Sequence, residues 1–377
     1  MSDHFGSRQL KALWIGSQNG ISERIGDAIA EVAIAYDKRT PEVVISRSDA
    51  PPLAGMDVIF TEVTGEEDMQ RVAALAEARG PEQRVVAVTG AGGSVLRQLI
   101  RLGIADWLTP DATAEDILLA CQPPKLASKS PKGPRNVIAF TPVLGGMGAT
   151  TLAIESAIML CKNGKEPTCV VDLDFYAGEC ADFLNIEAKL AIDSLAKEST
   201  SIDQHLLDSV LADHNTGIKL LAAKTNLGAS QTINPRAVLQ MLNLISSTFT
   251  HVVIDLPRAW QKWTDDVVLG CDAVFLVSDG SVPALRSARR QLQEFSNRYV
   301  GKVQPRVIVN KHLRSWFSSS LNEKDLETSL GDAFAGTVLD ETKLAREAID
   351  RGVPISTLKK NATLLKDLHS IMRKYTK

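Results

Sequence analysis

The stretch Val137-Ile-Ala-Phe-Thr-Pro-Val-Leu-Gly-Gly-Met-Gly-Ala-Thr-Thr-Leu-Ala153 decides the fold. Val137 to Phe140 reads as a buried strand, Gly145, Gly146 and Gly148 as a tight turn, and Thr150-Thr151-Leu152 as a helix start. Strand, glycine-rich turn and helix in that order make a phosphate-binding loop. Glycine lets the backbone come close, and N–H groups at the helix start point at the anion. In the usual pattern a lysine precedes the final Ser/Thr and reaches the β and γ phosphates. Ala149 stands there instead. The frame of a nucleotide site is present without its main cation. Gly145, Gly146, Gly148, Ala149, Thr150 and Thr151 form the expected phosphate cradle, with the Thr150 hydroxyl as a Mg²⁺ ligand.

A chain of 377 residues is long enough for two domains with sizeable cores. Its 44% hydrophobic and 23% charged content are those of a soluble globular protein. No apolar run is long enough to span a bilayer, and Met-Ser-Asp-His lacks the opening of a signal peptide, so a cytoplasmic protein is expected. The five cysteines are scattered and never form a C-x-x-C pair, which reads as reduced, buried thiols. The six histidines are equally dispersed and imply no metal cluster. A net charge of −3 argues against a broad nucleic-acid-binding surface, and no nucleic-acid partner is expected.

Residues 123–135, P-P-K-L-A-S-K-S-P-K-G-P-R, read as a semi-extended linker between domains at 1–122 and 136–377. Before it, five strand-like runs alternate with helical patterns: Lys11–Ile15, Glu42–Ser46, Asp57–Thr61, Arg84–Thr89 and Ala105–Leu108. Five βα units predict a small doubly wound, flavodoxin-like sheet. The region resembles a response-regulator receiver domain. Its chemistry departs from that family: Ser17-Gln18-Asn19 replace the Mg²⁺-binding acids, Glu62 the phosphoacceptor, and Thr109 the lysine. The resemblance therefore implies a docking or dimerisation module without phosphotransfer.

After the linker, strands are expected at 136–143, 168–173, 217–223, 250–256, 272–278 and 305–310, with helices such as Thr151–Lys162 and Arg236–Ser247 between them. This predicts a larger α/β domain with a mostly parallel sheet. Asp172 and Asp174 end one strand, and Asp255 ends another after the apolar run Val252-Val253-Ile254, where ligands sit in open α/β sheets. Asp255 would bind the water shell of Mg²⁺.

In order, these elements resemble the ParA/MinD superfamily of P-loop NTPases across 136–356. The resemblance implies ATP or ADP with Mg²⁺ as cofactor. It implies Asp174 as the acid orienting the attacking water, Asp172 as the acid nearer Mg²⁺, and Asn310 as a reader of the adenine base. The loop Asp350–Ile355 would lie against the base through its backbone. It also marks Leu144 as a second replacement, where the superfamily carries a signature lysine reaching across a nucleotide-sandwich dimer. Losing one preorganised cation at a transferring phosphoryl group costs about 10²–10³ in rate, so weak binding and little or no hydrolysis are expected. Arg258 or Lys262 would substitute as phosphate partners; Arg258 alternatively forms a surface ion pair or stacks on Trp260.

Asp255-Leu-Pro-Arg258 with Trp260, Ser281–Arg286 and Leu211–Leu221 are similar to TadZ/CpaE proteins of tight-adherence (Flp) pilus assembly, as is the plan of a degenerate receiver joined to a ParA/MinD-like domain. That resemblance implies a homodimeric scaffold at a cell pole or pilus assembly site. It would recruit the pilus machinery, including the secretion ATPase, and touch the membrane only through partners. The competing reading is an active ParA-like ATPase in DNA segregation or polar positioning, with Arg286, Arg289 and Arg290 as its basic patch. In the final stretch 361–377, one apolar face (Leu364, Leu365, Leu368, Ile371, Met372, Tyr375) predicts a helix packed on its own sheet.

Overall fold

Residues 12–15, 58–60 and 85–88 are continuous apolar runs, each buried along its length as parallel strands covered on both faces require. The computed structural model describes residues 11–16, 20–27, 42–46, 53, 56–65, 68–80, 83–90, 95, 98–99, 102, 104, 106–121, 136–162, 164–196, 202, 204–224, 233–299, 303–313 and 321–376. The chain forms two compact units, Met1–Ala127 and Ser128–Lys377. The linker at 123–135 and the Ser17-Gln18-Asn19 segment lie outside the described residues.

In the first unit, β1 (Lys11–Ile15), β2 (Glu42–Ser46), β3 (Val58–Glu62), β4 (Arg84–Val88) and β5 (Asp106–Leu108) form one sheet in the order β2-β1-β3-β4-β5. All four pairings are parallel. This is the flavodoxin-like order. Alternate residues of β1 enter two cores: Ala12 and Trp14 pack with Ile25 and Ile117, Leu13 and Ile15 with Val72 and Leu99. Glu62 ends β3, and its backbone carbonyl accepts a 2.6 Å hydrogen bond from Arg71. The Thr109 hydroxyl donates to Asp111.

The second unit holds β6 (Asn136–Pro142), β7 (Thr168–Asp172), β8 (Ala212–Asp213), β9 (Lys219–Leu221), β10 (His251–Asp255), β11 (Ala273–Asp279), β12 (Arg306–His312) and β13 (Phe334–Leu339). Their order is β13-β12-β11-β6-β10-β7-β9-β8, parallel throughout except for the β8–β9 hairpin. The chain departs from central β6 toward β7 on one side and later fills β11 on the other, which makes the carboxyl end of β6 a topological switch point.

Two strands escape the sequence pattern. The single strand expected over 217–223 is shortened to β9 and folds back on β8 through a turn at Gly217, which has φ 93°. β13 is masked by Gly336, which interrupts its apolar run. That glycine has φ 148°, and a Cβ there would stand 2.9 Å from Ile371, so it makes room for the last helix.

The helices used below are α1 (Ala149–Cys161), α2 (Val282–Tyr299), α3 (Thr342–Asp350) and α4 (Thr363–Met372). As expected, α4 buries Leu364, Leu365, Leu368, Ile371 and Met372, packing on β13 and α1. Beyond it, Tyr375 meets the edge of Phe275 and lies under the Arg306 guanidinium. All five cysteines are buried. No described helix is long and apolar enough to cross a membrane.

Candidate nucleotide-binding cleft

The loop between β6 and α1 bends on Gly146 (φ 74°) and Gly148 (φ 84°), left-handed conformations that glycine adopts without steric cost. In the spacing G-x-x-x-x-G-K-[ST], Gly148 is the second glycine and Val143 takes the place of the first. Val143 is buried, its N–H bonds to Val277 at 2.9 Å, and its carbonyl accepts from Ser287 (3.0 Å) and Gln291 (3.1 Å) of α2. The start of the loop is thus anchored to β11 and α2. Leu144 packs against the core, and Ala149 is buried at the first turn of α1.

On the far side of the loop, Asn310 donates to the Met147 carbonyl at 2.9 Å and Lys311 to the Gly146 carbonyl at 2.6 Å. Asn310 Oδ1 is buried with no hydrogen-bond partner. The Asn310 amide lies so near Gly148 that a Cβ there would come within 2.6 Å of it. Asn310 therefore braces the loop with one end while its free oxygen remains available to a ligand donor.

Parallel pairing sets Asp255 of β10 beside Asp172 of β7. The Thr150 hydroxyl donates to Asp255 Oδ2 at 2.7 Å, and the Cys180 thiol lies 3.6 Å from the same oxygen. Burial, then the neighbouring Asp172 charge, pushes the Asp255 carboxyl up to about 7. Burial pushes Asp172 to about 6, opposed by its backbone hydrogen bonds. Asp172 accepts the N–H of Asp174 (3.0 Å) on one oxygen and that of Cys180 (3.1 Å) on the other. It closes the turn after β7 and does not line the cleft. Asp174 does line the cleft, half-buried, with Ala177 N–H on its Oδ1 at 3.0 Å.

The cleft above the loop holds about 500 Å³. Gly145, Gly146, Gly148, Ala149, Thr150 and Thr151 form its floor, with Asp255 and Asn310 at the strand ends. Arg258, Lys311 and Arg346 contribute positive charge at its walls, and Lys262 does not reach it. Arg258 is exposed and without a partner among the described residues. Trp260, the stacking partner expected from the sequence, donates to Asp265 at 2.8 Å and packs against Phe295 in an edge arrangement. The segment ending at Ile355 is tied to the loop's own helix: buried Glu155 of α1 accepts the Ile355 N–H at 2.6 Å.

The donor set fits a hard cation. Thr150 offers a hydroxyl and Asp255 a carboxylate 2.7 Å apart, and two buried carboxyls are held above their ordinary range. Bound Mg²⁺ would relieve that repulsion, held by Thr150 and, through water, by Asp255. Val143, Lys311 and Glu155 were not legible as site residues. The glycine spacing signals Val143 once Gly148 is taken as the pattern's second glycine, whereas Lys311 and Glu155 act through tertiary contacts.

No protein-family model matches the chain. It is 21% identical over 243 residues to the septum site-determining protein MinD of Thermotoga maritima, covering 63% of this chain and 87% of that protein. Among solved structures, the ParA family ATPase from Chlorobium tepidum TLS matches with a TM-score of 0.56 and 17% identity, over 62% of this chain and 96% of that one. MinD from Pyrococcus horikoshii OT3, solved with Mg-ADP, matches with a TM-score of 0.54 and 15% identity, over 64% and 95%. The chain thus carries the α/β fold of ParA/MinD P-loop NTPases, with its mostly parallel sheet.

Proposed function

We propose that this chain is a localisation scaffold of the TadZ/CpaE kind for tight-adherence pilus assembly, whose ParA/MinD-like unit binds Mg·ATP weakly and hydrolyses it little. One observation carries the reading. The loop keeps its left-handed glycines and its Thr150–Asp255 pair, while half-buried Leu144 packs against the core and Ala149 carries no charge. The parts that bind a phosphate chain and Mg²⁺ are present, and positions 144 and 149 within the loop supply no cation to stabilise a transferring phosphoryl group. Bound Mg²⁺ would neutralise phosphate charge. Thr150 and Asp255 would orient it, the loop N–H groups would hold the phosphates, and the free Asn310 oxygen would accept from the base.

The strand order of the first unit agrees with the receiver-like plan, and Glu62 and Thr109 in place of the phosphoacceptor and lysine support its reading as a docking module. The homodimer, polar position and recruitment of the secretion ATPase follow from the same resemblance. The packing of α4 on the sheet supports membrane contact through partners only.

Calorimetric titration with Mg·ATP tests the site, on the parent and on Asp255→Ala. Submillimolar binding that the variant loses, with turnover about 10²–10³ slower than a lysine-bearing loop provides, supports the reading. Turnover at the rate of a lysine-bearing loop, with a salt-dependent DNA shift, would favour the DNA-segregation ATPase instead. Co-purification with the pilus secretion ATPase tests the scaffold; its failure at micromolar concentrations would count against recruitment.

A further inference from the structure

Neighbouring residues of a regular strand point to opposite faces. Asn310 and Lys311 break that rule, because both bond to successive carbonyls of one loop, Met147 and Gly146. The β12–β13 ladder shows how. Val309 pairs with Thr337 and His312 with Leu339, so three steps of β12 face two of β13. This is a β-bulge, and within it Lys311 adopts φ 55°, a left-handed conformation that a lysine holds only when its surroundings impose it. Bulges beside sites re-aim side chains, and this one turns a strand-end lysine onto the phosphate loop.

The loop is where positive charge is missing. Neither Leu144 nor Ala149 supplies a cation, and the cleft wall is rich in acids, with Asp174, Glu179, Asp255, Glu341 and Asp350. Arg258 and Arg346 line the cleft with no bonding partner among the described residues, whereas Lys311 already touches the loop. An ammonium has three donors, so one neutral carbonyl leaves capacity for a charged oxygen, with which the hydrogen bond is roughly twice as strong.

We propose that Lys311 supplies the charge the loop has lost, gripping the polyphosphate of a nucleoside triphosphate from strand β12 rather than from within the loop. The proposal rests on the nucleotide-binding reading above. Its ammonium would join or exchange the Gly146 carbonyl for a phosphate oxygen, with no bond made or broken covalently.

The test is calorimetric binding of Mg·ATP to the full chain at low and high ionic strength. The parent is compared with Lys311→Arg, Lys311→Met and Lys311→Gln, and thermal midpoints check that each variant folds. Both neutral variants should bind about tenfold or more weakly with a flatter salt dependence, while Lys311→Arg stays near the parent. Neutral variants within about twofold of the parent would overturn the proposal. So would a loss of affinity with the parent's salt dependence intact, the mark of a lysine that only clasps the loop. If the parent itself fails to bind Mg·ATP, the nucleotide-binding reading falls, and this proposal falls with it.

Discussion

Replacing Glu155 by glutamine should change how stability depends on pH. Glu155 sits on α1, five residues beyond Thr150, and is 2% exposed. It accepts the Ile355 N–H at 2.6 Å, tying the loop helix to the segment around 350–355. Burial raises its carboxyl from 4.5 to about 7, although hydrogen bonds from Ile355 and Ser356 oppose the shift. The folded state therefore holds this proton more tightly than the unfolded chain. The stabilisation is complete below 4.5 and is lost as pH rises through 7. Moving a carboxyl over that span corresponds to about 3 kcal/mol. Glutamine keeps an acceptor for Ile355 and has no proton to lose. Relative to the parent, Glu155→Gln should gain up to about 3 kcal/mol between pH 5 and pH 8, roughly 5–10 °C in thermal midpoint for a unit of this size. Asp172 and Asp255 titrate in both proteins, so the difference between the two unfolding curves isolates Glu155. Parallel curves across that window would refute the argument, because they would mean that Glu155 does not titrate differently on folding.

Three further outcomes follow from the same geometry. Gly148→Ala should cost about 1–3 kcal/mol in denaturant unfolding, since the residue has φ 84° and its new methyl would meet Asn310 at 2.6 Å. Leu368→Ala, at a side chain that is 0% exposed between α4 and the sheet, should lower stability by about 2–5 kcal/mol; a cost below about 1 kcal/mol would mean that α4 is not docked. Thr150→Val keeps the volume and removes the hydroxyl bonded to Asp255, so the Mg²⁺-dependent part of ATP affinity should fall about tenfold while the fold persists.

Most of the architecture is local and could be read from the chain. Apolar runs of strand length produced β1 to β7 and β10 to β12 because parallel strands buried on both faces need continuous hydrophobic residues. β13 was hidden because Gly336 answers to Ile371 of a later helix, and β8 because two residues carry no periodicity. The loop was visible from its glycines, and Asp255 from its place at a strand end. Which acid faces the cleft was not: Asp172 and Asp174 differ by two residues, yet the turn to Cys180 consumes one and leaves the other open.

The amino-acid pattern by itself gives the succession of elements, the glycine loop and the uncharged residues Leu144 and Ala149 within it, since those are properties of residue type and spacing. Folding assigned the partners. Residue pair 146–311 meets because strand order brings the end of β12 to the loop after β6, and pair 155–355 because the segment after α3 bonds to α1. A bulge set by the β13 register, invisible along β12 alone, turns Lys311 toward the loop.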